Sequence, residues 1–196
     1  MKMIDLEKRV SLVTGASGGI GSVIAKTLAG AGSRVALGYR TNEEGAKTAL
    51  AECGADSILV RADLSDADQC AAAVRRVIQE FGRIDILVNN AAIDPPDSFN
   101  MPFEEWTGHW QKVMNANLMS TVNMTYHCVA PMRAGGGGKI INISSRSALR
   151  GETEFLAYAV SKAAMVNFTR CIAQVLAGTI FTPMRWLPVT SAPAWR

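Results

Sequence analysis

Short runs of aliphatic and β-branched residues alternate along the chain with longer stretches whose apolar positions recur at helical spacing. Residues 9–13, 34–37, 57–60, 84–88 and 139–143 read as strands. They are nearly continuous apolar runs, the pattern of parallel strands covered on both faces. The intervening segments, about 19–31, 42–53, 66–81, 102–132 and 154–177, are rich in Ala, Leu, Glu and Lys and predict helices. Ser65 or Asp66 is placed to cap the third helix and Gly82 to end it. The glycines at 135–138 are followed by a strand, so they read as a turn and not a phosphate loop. Repeated β-α units of this kind predict an α/β fold with a doubly wound parallel sheet and helices on both faces. From Gly178 the pattern stops: Pro, Trp and Arg mix without a period, and 178–196 reads as an irregular tail behind a domain at 1–177.

Composition narrows the class of protein. A chain of 196 residues with 48% hydrophobic content suits one domain with a sizeable core, which excludes a disordered chain. A net charge of +3 is too weak a bias to predict a nucleic-acid or anionic-membrane partner. No run approaches the roughly 18 to 20 apolar residues of a membrane span. Asp5 and Glu7 stand where a signal peptide would carry its apolar stretch, so a cytoplasmic location is expected. Cys53, Cys70, Cys128 and Cys171 are scattered, and only His109 and His127 are available to join them, so no metal site is expected.

The chemistry begins where the first strand runs into Thr14-Gly15-Ala16-Ser17-Gly18-Gly19-Ile20-Gly21 and a helix starts. A pyrophosphate needs a tight turn, close backbone approach and helix N–H groups aimed at the anion, which this strand–glycine–helix arrangement offers. Ile20-Gly21-Ser22 lacks the lysine of a nucleotide-hydrolysing loop. At the end of the second strand, Gly38-Tyr39-Arg40-Thr41-Asn42 has no acid before Glu43. A free ribose 2′-hydroxyl calls for Asp or Glu there and a 2′-phosphate for Arg, so Arg40, with Thr41 and Asn42 as donors, favours NADP(H) over NAD(H).

Tyr158 and Lys162 lie four apart on a predicted helix and share a face. Tyrosine, with an ordinary pKa of about 10, is a poor acid or base at neutral pH unless a neighbouring cation stabilises its phenolate. The fifth strand ends at Ser144-Ser145, on the side where open α/β sheets bind ligands, so Ser145 is placed to meet Tyr158 across one crevice.

Together these residues make the chain resemble the short-chain dehydrogenase/reductases. The resemblance runs from about Leu6 to Leu176 through Thr14–Gly21, Asp63-Leu64, Asn89-Asn90-Ala91-Ala92, Asn117, Ser145 and Tyr158-Ala159-Val160-Ser161-Lys162, in that order. It is most similar in phrasing to bacterial 3-oxoacyl-carrier-protein reductases and sugar or alcohol dehydrogenases. The resemblance implies a Rossmann-type sheet and an NAD(P)(H)-dependent oxidoreductase acting on a small carbonyl or alcohol. It places Gly15, Ser17, Gly19, Ile20 and Gly21 at the pyrophosphate, Asp63 and Leu64 at the adenine, and Asn90 at the nicotinamide-side ribose. Tyr158 would be the general acid or base, Lys162 would lower its pKa and hold the ribose, Ser145 would hold the substrate oxygen, and Asn117 would anchor a relaying water.

Three features depart from that pattern. Ala92 stands where the family has glycine, at a cost of about 1 kcal/mol if that position needs positive φ. Arg146, Arg150, Glu152 and Glu154 lie between Ser145 and Tyr158 and read as solvated loop charges, the other reading being that they face the mouth of the site and favour a charged substrate. The family's further strand, lid, helix and last strand have no clear counterpart after Ala177, and only Gly178–Met184 is similar to its Pro-Gly-x-x-x-Thr-Pro-Met stretch, with Thr182 at the nicotinamide-binding position. The C-terminal strands of the sheet are therefore expected to be incomplete. The alternative is a non-catalytic nucleotide-binding or interaction module. A homo-oligomer is possible, with its C-terminal interface elements missing.

Overall fold

The computed structural model describes residues 4–177 and 187–189. In chain order they form β1 (Val10–Val13), α1 (Gly19–Gly30), β2 (Arg34–Tyr39), α2 (Glu43–Cys53), β3 (Ile58–Arg61), α3 (Ala67–Phe81) and β4 (Ile86–Asn89). Then come α4 (Phe103–Met114), a π-helical turn (Asn115–Met119), α5 (Ser120–Ala134), β5 (Lys139–Ser145), α6 (Leu156–Leu176) and β6 (Leu187–Val189). The strands make one parallel sheet in the order β3-β2-β1-β4-β5-β6. None of the described helices is long and apolar enough to cross a membrane.

Successive strand residues face opposite sides, and each side is apolar. Leu12, Ala36, Leu87 and Ile140 join Val74, Val77, Met124 and Cys128 of α3 and α5 in one core layer. Val35, Leu37, Ile86 and Val88 join Ala25 and Ala49 of α1 and α2 in the other. This two-sided burial is why the strands read as continuous apolar runs. Asp66 caps α3 by accepting the N–H groups of Asp68 and Gln69, and Gly82 ends it in the left-handed region at φ +75°.

Two elements differ from the sequence reading. The single helix expected over 102–132 is interrupted by the π-helical turn at Asn115–Met119. Apolar spacing continues across it, so the pattern carries no mark of one extra residue in the turn. Leu187–Val189, inside the segment read as an irregular tail, forms β6, with Ile143 opposite Leu187 and Ser145 opposite Val189. Three residues show no period, and the strand is specified by pairing with the free edge of β5 rather than by its own sequence.

The strand order reverses between β1 and β4. In open parallel sheets such a reversal leaves a crevice beyond the C-terminal ends of the strands. Thr14-Gly15 and Asn90-Ala91 stand at the two lips of that crevice.

Candidate active site

The turn from β1 into α1 is built as an anion cradle. The residue that precedes α1, Gly18, has no side chain to cap it, and no acid lies in the first turn. By contrast Asn42 caps α2, which opens with Glu43 and Glu44, and Asp66 caps α3. Of these three helices, α1 leaves its N-terminal N–H groups and positive dipole end uncovered, facing the crevice. Gly15 holds a positive φ of +66°. A Cβ at Gly21 would run into the Gly15 carbonyl and the Asn90 amide, so this glycine serves the closure of the turn and lies behind the cleft wall. Gly15, Ser17, Gly19 and Ile20 line the cleft itself.

The lip of β4 is fastened to that turn. The Thr14 hydroxyl accepts the N–H groups of Asn90 (2.9 Å) and Ala91 (3.0 Å). Asn90 in turn donates its amide to the carbonyls of Thr14 (2.9 Å) and Gly15 (3.1 Å). Its side chain therefore holds the glycine turn while its flank lines the cleft.

At the far end, Arg40 lies beyond β2 with its guanidinium 3.7 Å from the Asp63 carboxylate, both side chains substantially exposed. Ser65 donates its hydroxyl (2.7 Å) and its N–H (3.0 Å) to Asp63. The Ser65 hydroxyl, more than the nearby Arg40 charge, holds the Asp63 carboxyl below its usual range. Leu64 lines the cleft and packs on the core behind it. Asn42 also lines the cleft; it accepts the Gly45 N–H and donates one amide hydrogen to the Ser17 carbonyl, tying α2 to the glycine turn.

Ser145, Tyr158 and Lys162 line the same cleft as Gly15, Arg40, Asp63 and Asn90, a space of about 740 Å³. Lys162 is almost wholly buried, and its Nζ donates to the Ile143 carbonyl at 2.9 Å. Burial pulls its pKa down to about 8, with the Asp94 carboxylate opposing. Burial pushes the Tyr158 phenol above its ordinary value, the Ser145 hydroxyl opposes, and Asp94 and Glu152 push further up. Lys162 approaches this phenol from the face of its ring. Its ammonium stands over the ring face, 5.7 Å from the centroid, and its hydrogen bond goes to a carbonyl.

Asn117 sits in the π-helical turn with no exposed surface. Its Oδ1 accepts the Ile93 N–H (2.8 Å), and its Nδ2 donates to the Ile93 carbonyl (2.8 Å) and the Ser161 hydroxyl (3.1 Å). It thus clamps the loop after β4 to α6, one turn from Tyr158. The Asn115 side chain, two residues earlier, accepts from Gln111 within its own helix turn.

The family profile described as short chain dehydrogenase matches residues 9–182. The chain belongs to the short-chain dehydrogenase family. An acetoacetyl-CoA reductase from Shinella zoogloeoides is 37% identical over 166 residues, which make up 85% of this chain and 67% of that one. A fatty acyl-CoA reductase from Acinetobacter baylyi is 32% identical over 192 residues, 96% of this chain and 65% of that one. A solved structure assigned as a short-chain alcohol dehydrogenase from Sinorhizobium meliloti superposes with a TM-score of 0.85 at 28% identity, covering 97% of this chain and 77% of the other. The chain thus spans about two thirds of the length of these reductase relatives.

In this short-chain dehydrogenase, Ala92 carries no backbone strain, since Lys8 is the non-glycine residue with positive φ among those described. The conditional cost attached to it does not arise. Thr182 lies outside the described residues. Glu152 is turned inward, its side chain 21% exposed, and accepts the Ser147 hydroxyl at 3.0 Å, so it is not a solvated loop charge. Sequence reasoning also passes over Asp97. Its buried carboxylate accepts the N–H groups of Leu156 (2.6 Å) and Ala157 (2.9 Å), capping the helix that carries Tyr158 and Lys162. The cap comes from 59 residues upstream, so no local capping motif marks it.

Proposed function

We propose that this chain is an NADP(H)-dependent reductase of a small carbonyl substrate, with Tyr158 as the general acid. The observation that carries the reading is the joining of an uncapped, acid-free helix N-terminus to Ser145, Tyr158 and Lys162 in one cleft. The donor set fits a dinucleotide. The N–H groups at the start of α1, with Gly15, Ser17, Gly19 and Ile20, would hold the pyrophosphate. Asp63 and Leu64 would hold the adenine end, Arg40 a 2′-phosphate, and Asn90 and Lys162 the nicotinamide-side ribose. When bound, the nicotinamide supplies the hydride.

The chain's own residues then handle the proton and the charge. At neutral pH Tyr158 is a phenol, because burial and two carboxylates keep its pKa above the ordinary value. It is therefore ready to give a proton to a carbonyl oxygen as negative charge develops there. Lys162, below its pKa of about 8, is an ammonium at neutral pH and steadies the phenolate that proton transfer leaves. Ser145 supplies a second hydrogen bond to the substrate oxygen. Asn117 holds the backbone on both sides of this group and would anchor a relaying water. In the reverse direction the phenolate takes the proton of an alcohol.

Several relatives are named acetoacetyl-CoA reductases, which makes a 3-oxoacyl thioester the first substrate to test. A cytoplasmic location belongs to the same reading. A homo-oligomer fits the exposed apolar Phe103 of α4, Met119 of the π-helical turn and Tyr126 of α5. A non-catalytic nucleotide-binding module is the less favoured alternative, since the named relatives are reductases.

Cofactor choice is tested by measuring KM for NADPH and NADH in the parent and in Arg40→Ala. The expected result is a lower KM for NADPH, raised about tenfold or more by the substitution, with KM for NADH little changed. A parent that prefers NADH contradicts the NADP(H) assignment.

A further inference from the structure

The loop between β3 and α3 is held from a side that the dinucleotide reading does not use. β3 is the edge strand of the sheet, and Ala62 still donates to the Tyr39 carbonyl (2.9 Å). The next N–H, that of Asp63, has no strand beside it and donates to Gln69 Oε1 (2.9 Å). Gln69 Nε2 donates to Asp66 Oδ2 (3.0 Å). These partners fix which way the amide points, since a backbone N–H only donates and a carboxylate only accepts. Cys70, the next residue of α3, donates its thiol to the Leu64 carbonyl (3.3 Å). Adjacent residues of α3 thus hold adjacent residues of the loop. Gln69 is exposed and lies behind the cleft wall, whereas Asp63, Leu64 and Ser65 line the cleft.

Gln69 does not act as the usual helix cap. Asp66 is the N-cap of α3 and Gln69 its third helical position, where a glutamine reaches back to the N-cap N–H. Here the Asp66 N–H goes to the Asp63 carbonyl (3.2 Å), and the glutamine oxygen reaches three residues further, to Asp63. Asp63 is therefore fixed at its N–H, at its carbonyl and at Oδ1, which accepts both the Ser65 N–H (3.0 Å) and hydroxyl (2.7 Å). Its Oδ2 accepts no hydrogen bond among the described residues, and the Arg40 guanidinium stands 3.7 Å away.

We propose that Gln69 is a positioning residue for base selection: by holding the Asp63 main chain from α3, it presents Asp63 Oδ2 to the cleft as the acceptor for the exocyclic amino group of an adenine. The inference rests on the reading of Asp63 as the adenine contact and adds the group that aims it. An adenine donates from its amino group to that oxygen. A hypoxanthine carries a carbonyl at the same place, which only accepts and would face the carboxylate unpaired. Telling the two bases apart depends on Asp63 keeping its place. Ser65 fixes one carboxylate oxygen but belongs to the same loop and moves with it. Gln69 ties the loop to a helix that is itself anchored in the core through Cys70, Ala73, Val74 and Val77.

The test is the Kd of the full chain for NADPH and for its deaminated analogue, in which hypoxanthine replaces adenine. Nicotinamide fluorescence reads both without turnover. The parent is expected to bind NADPH about tenfold or more tightly than the analogue, the worth of one charge-assisted hydrogen bond. Asp63→Ala sets the floor, with the two Kd values within about threefold of each other. Gln69→Met keeps the length of the side chain and removes its amide. It is expected to bring the ratio down to that floor while leaving the Kd for the analogue near the parental value. Gln69→Ala is expected to do the same, with urea unfolding showing that both variants fold. A parental ratio in the two Gln69 variants, even with both Kd values raised together, overturns the inference and leaves Gln69 a plain structural tie. A parent that binds the two dinucleotides alike, or binds neither, overturns the Asp63 reading beneath it.

Discussion

At the scale of single residues the site holds an opposed pair. Lys162 is buried as an ammonium against one carbonyl, and Tyr158 stands half-buried as a phenol beside it. The ammonium is kept for chemistry at the expense of stability. Its pKa is lowered from 10.5 to about 8, so the unfolded chain binds that proton more tightly than the folded one. The penalty is complete below pH 8, falls as pH rises from 8 toward 10.5, and is gone above 10.5. Lys162→Met is therefore expected to raise stability by up to about 3 kcal/mol at pH 7 while abolishing turnover, with the gain shrinking at higher pH. Urea unfolding of both proteins at pH 7 and pH 10 measures it. An equal difference at the two pH values, or a destabilised variant, contradicts the assignment of burial as the cause. The identities of Ser145, Tyr158 and Lys162 as one group are legible from spacing and from strand and helix ends. Their ionisation is not, because it depends on desolvation and on Asp94 and Glu152, which approach from other segments.

At the scale of elements, the helix that carries Tyr158 and Lys162 is located by groups outside it. Asp97 caps α6 from the loop after β4, and Asn117 clamps the same loop to Ser161. On the inner side, Asn89 donates to Asn142 (2.9 Å) and Asn142 donates to Thr169 (2.8 Å), linking β4, β5 and α6 through buried amides. Asp97→Asn replaces one accepting oxygen with a donor facing a backbone N–H. It is expected to cost about 1 to 3 kcal/mol and to lower kcat more than it raises KM for NADPH, because it loosens α6 and spares the glycine turn. Denaturant unfolding and steady-state kinetics check both halves. Unchanged stability contradicts the cap. The apolar rhythm predicts each long element within a few residues. It misses the π-helical turn and the Asp97 cap, which are set by long-range hydrogen bonds, and β6, which is set by its neighbour β5.

At the scale of the whole molecule, a parallel sheet whose order reverses between β1 and β4 brings the glycine turn, Arg40 and the Tyr158 helix to one crevice. A ligand that bridges these parts must stabilise the fold as a unit. NADPH at a hundredfold excess over its Kd is expected to add about 2.7 kcal/mol, and NADH at the same concentration less. Thermal unfolding in the two cofactors reports this, and no shift with NADPH contradicts the dinucleotide cleft. The doubly wound sheet is legible from alternating strand and helix patterns. The inward turn of Glu152 is not, since a glutamate in a loop carries no mark of the serine it faces. The most direct test of the account is the decay of NADPH absorbance with acetoacetyl-CoA and simple ketones, in the parent and in Tyr158→Phe, at matched cofactor occupancy. The account predicts consumption by the parent and a rate lower by about a thousandfold in the variant. Equal rates in the two proteins, or no consumption by a parent with NADPH bound, would contradict it.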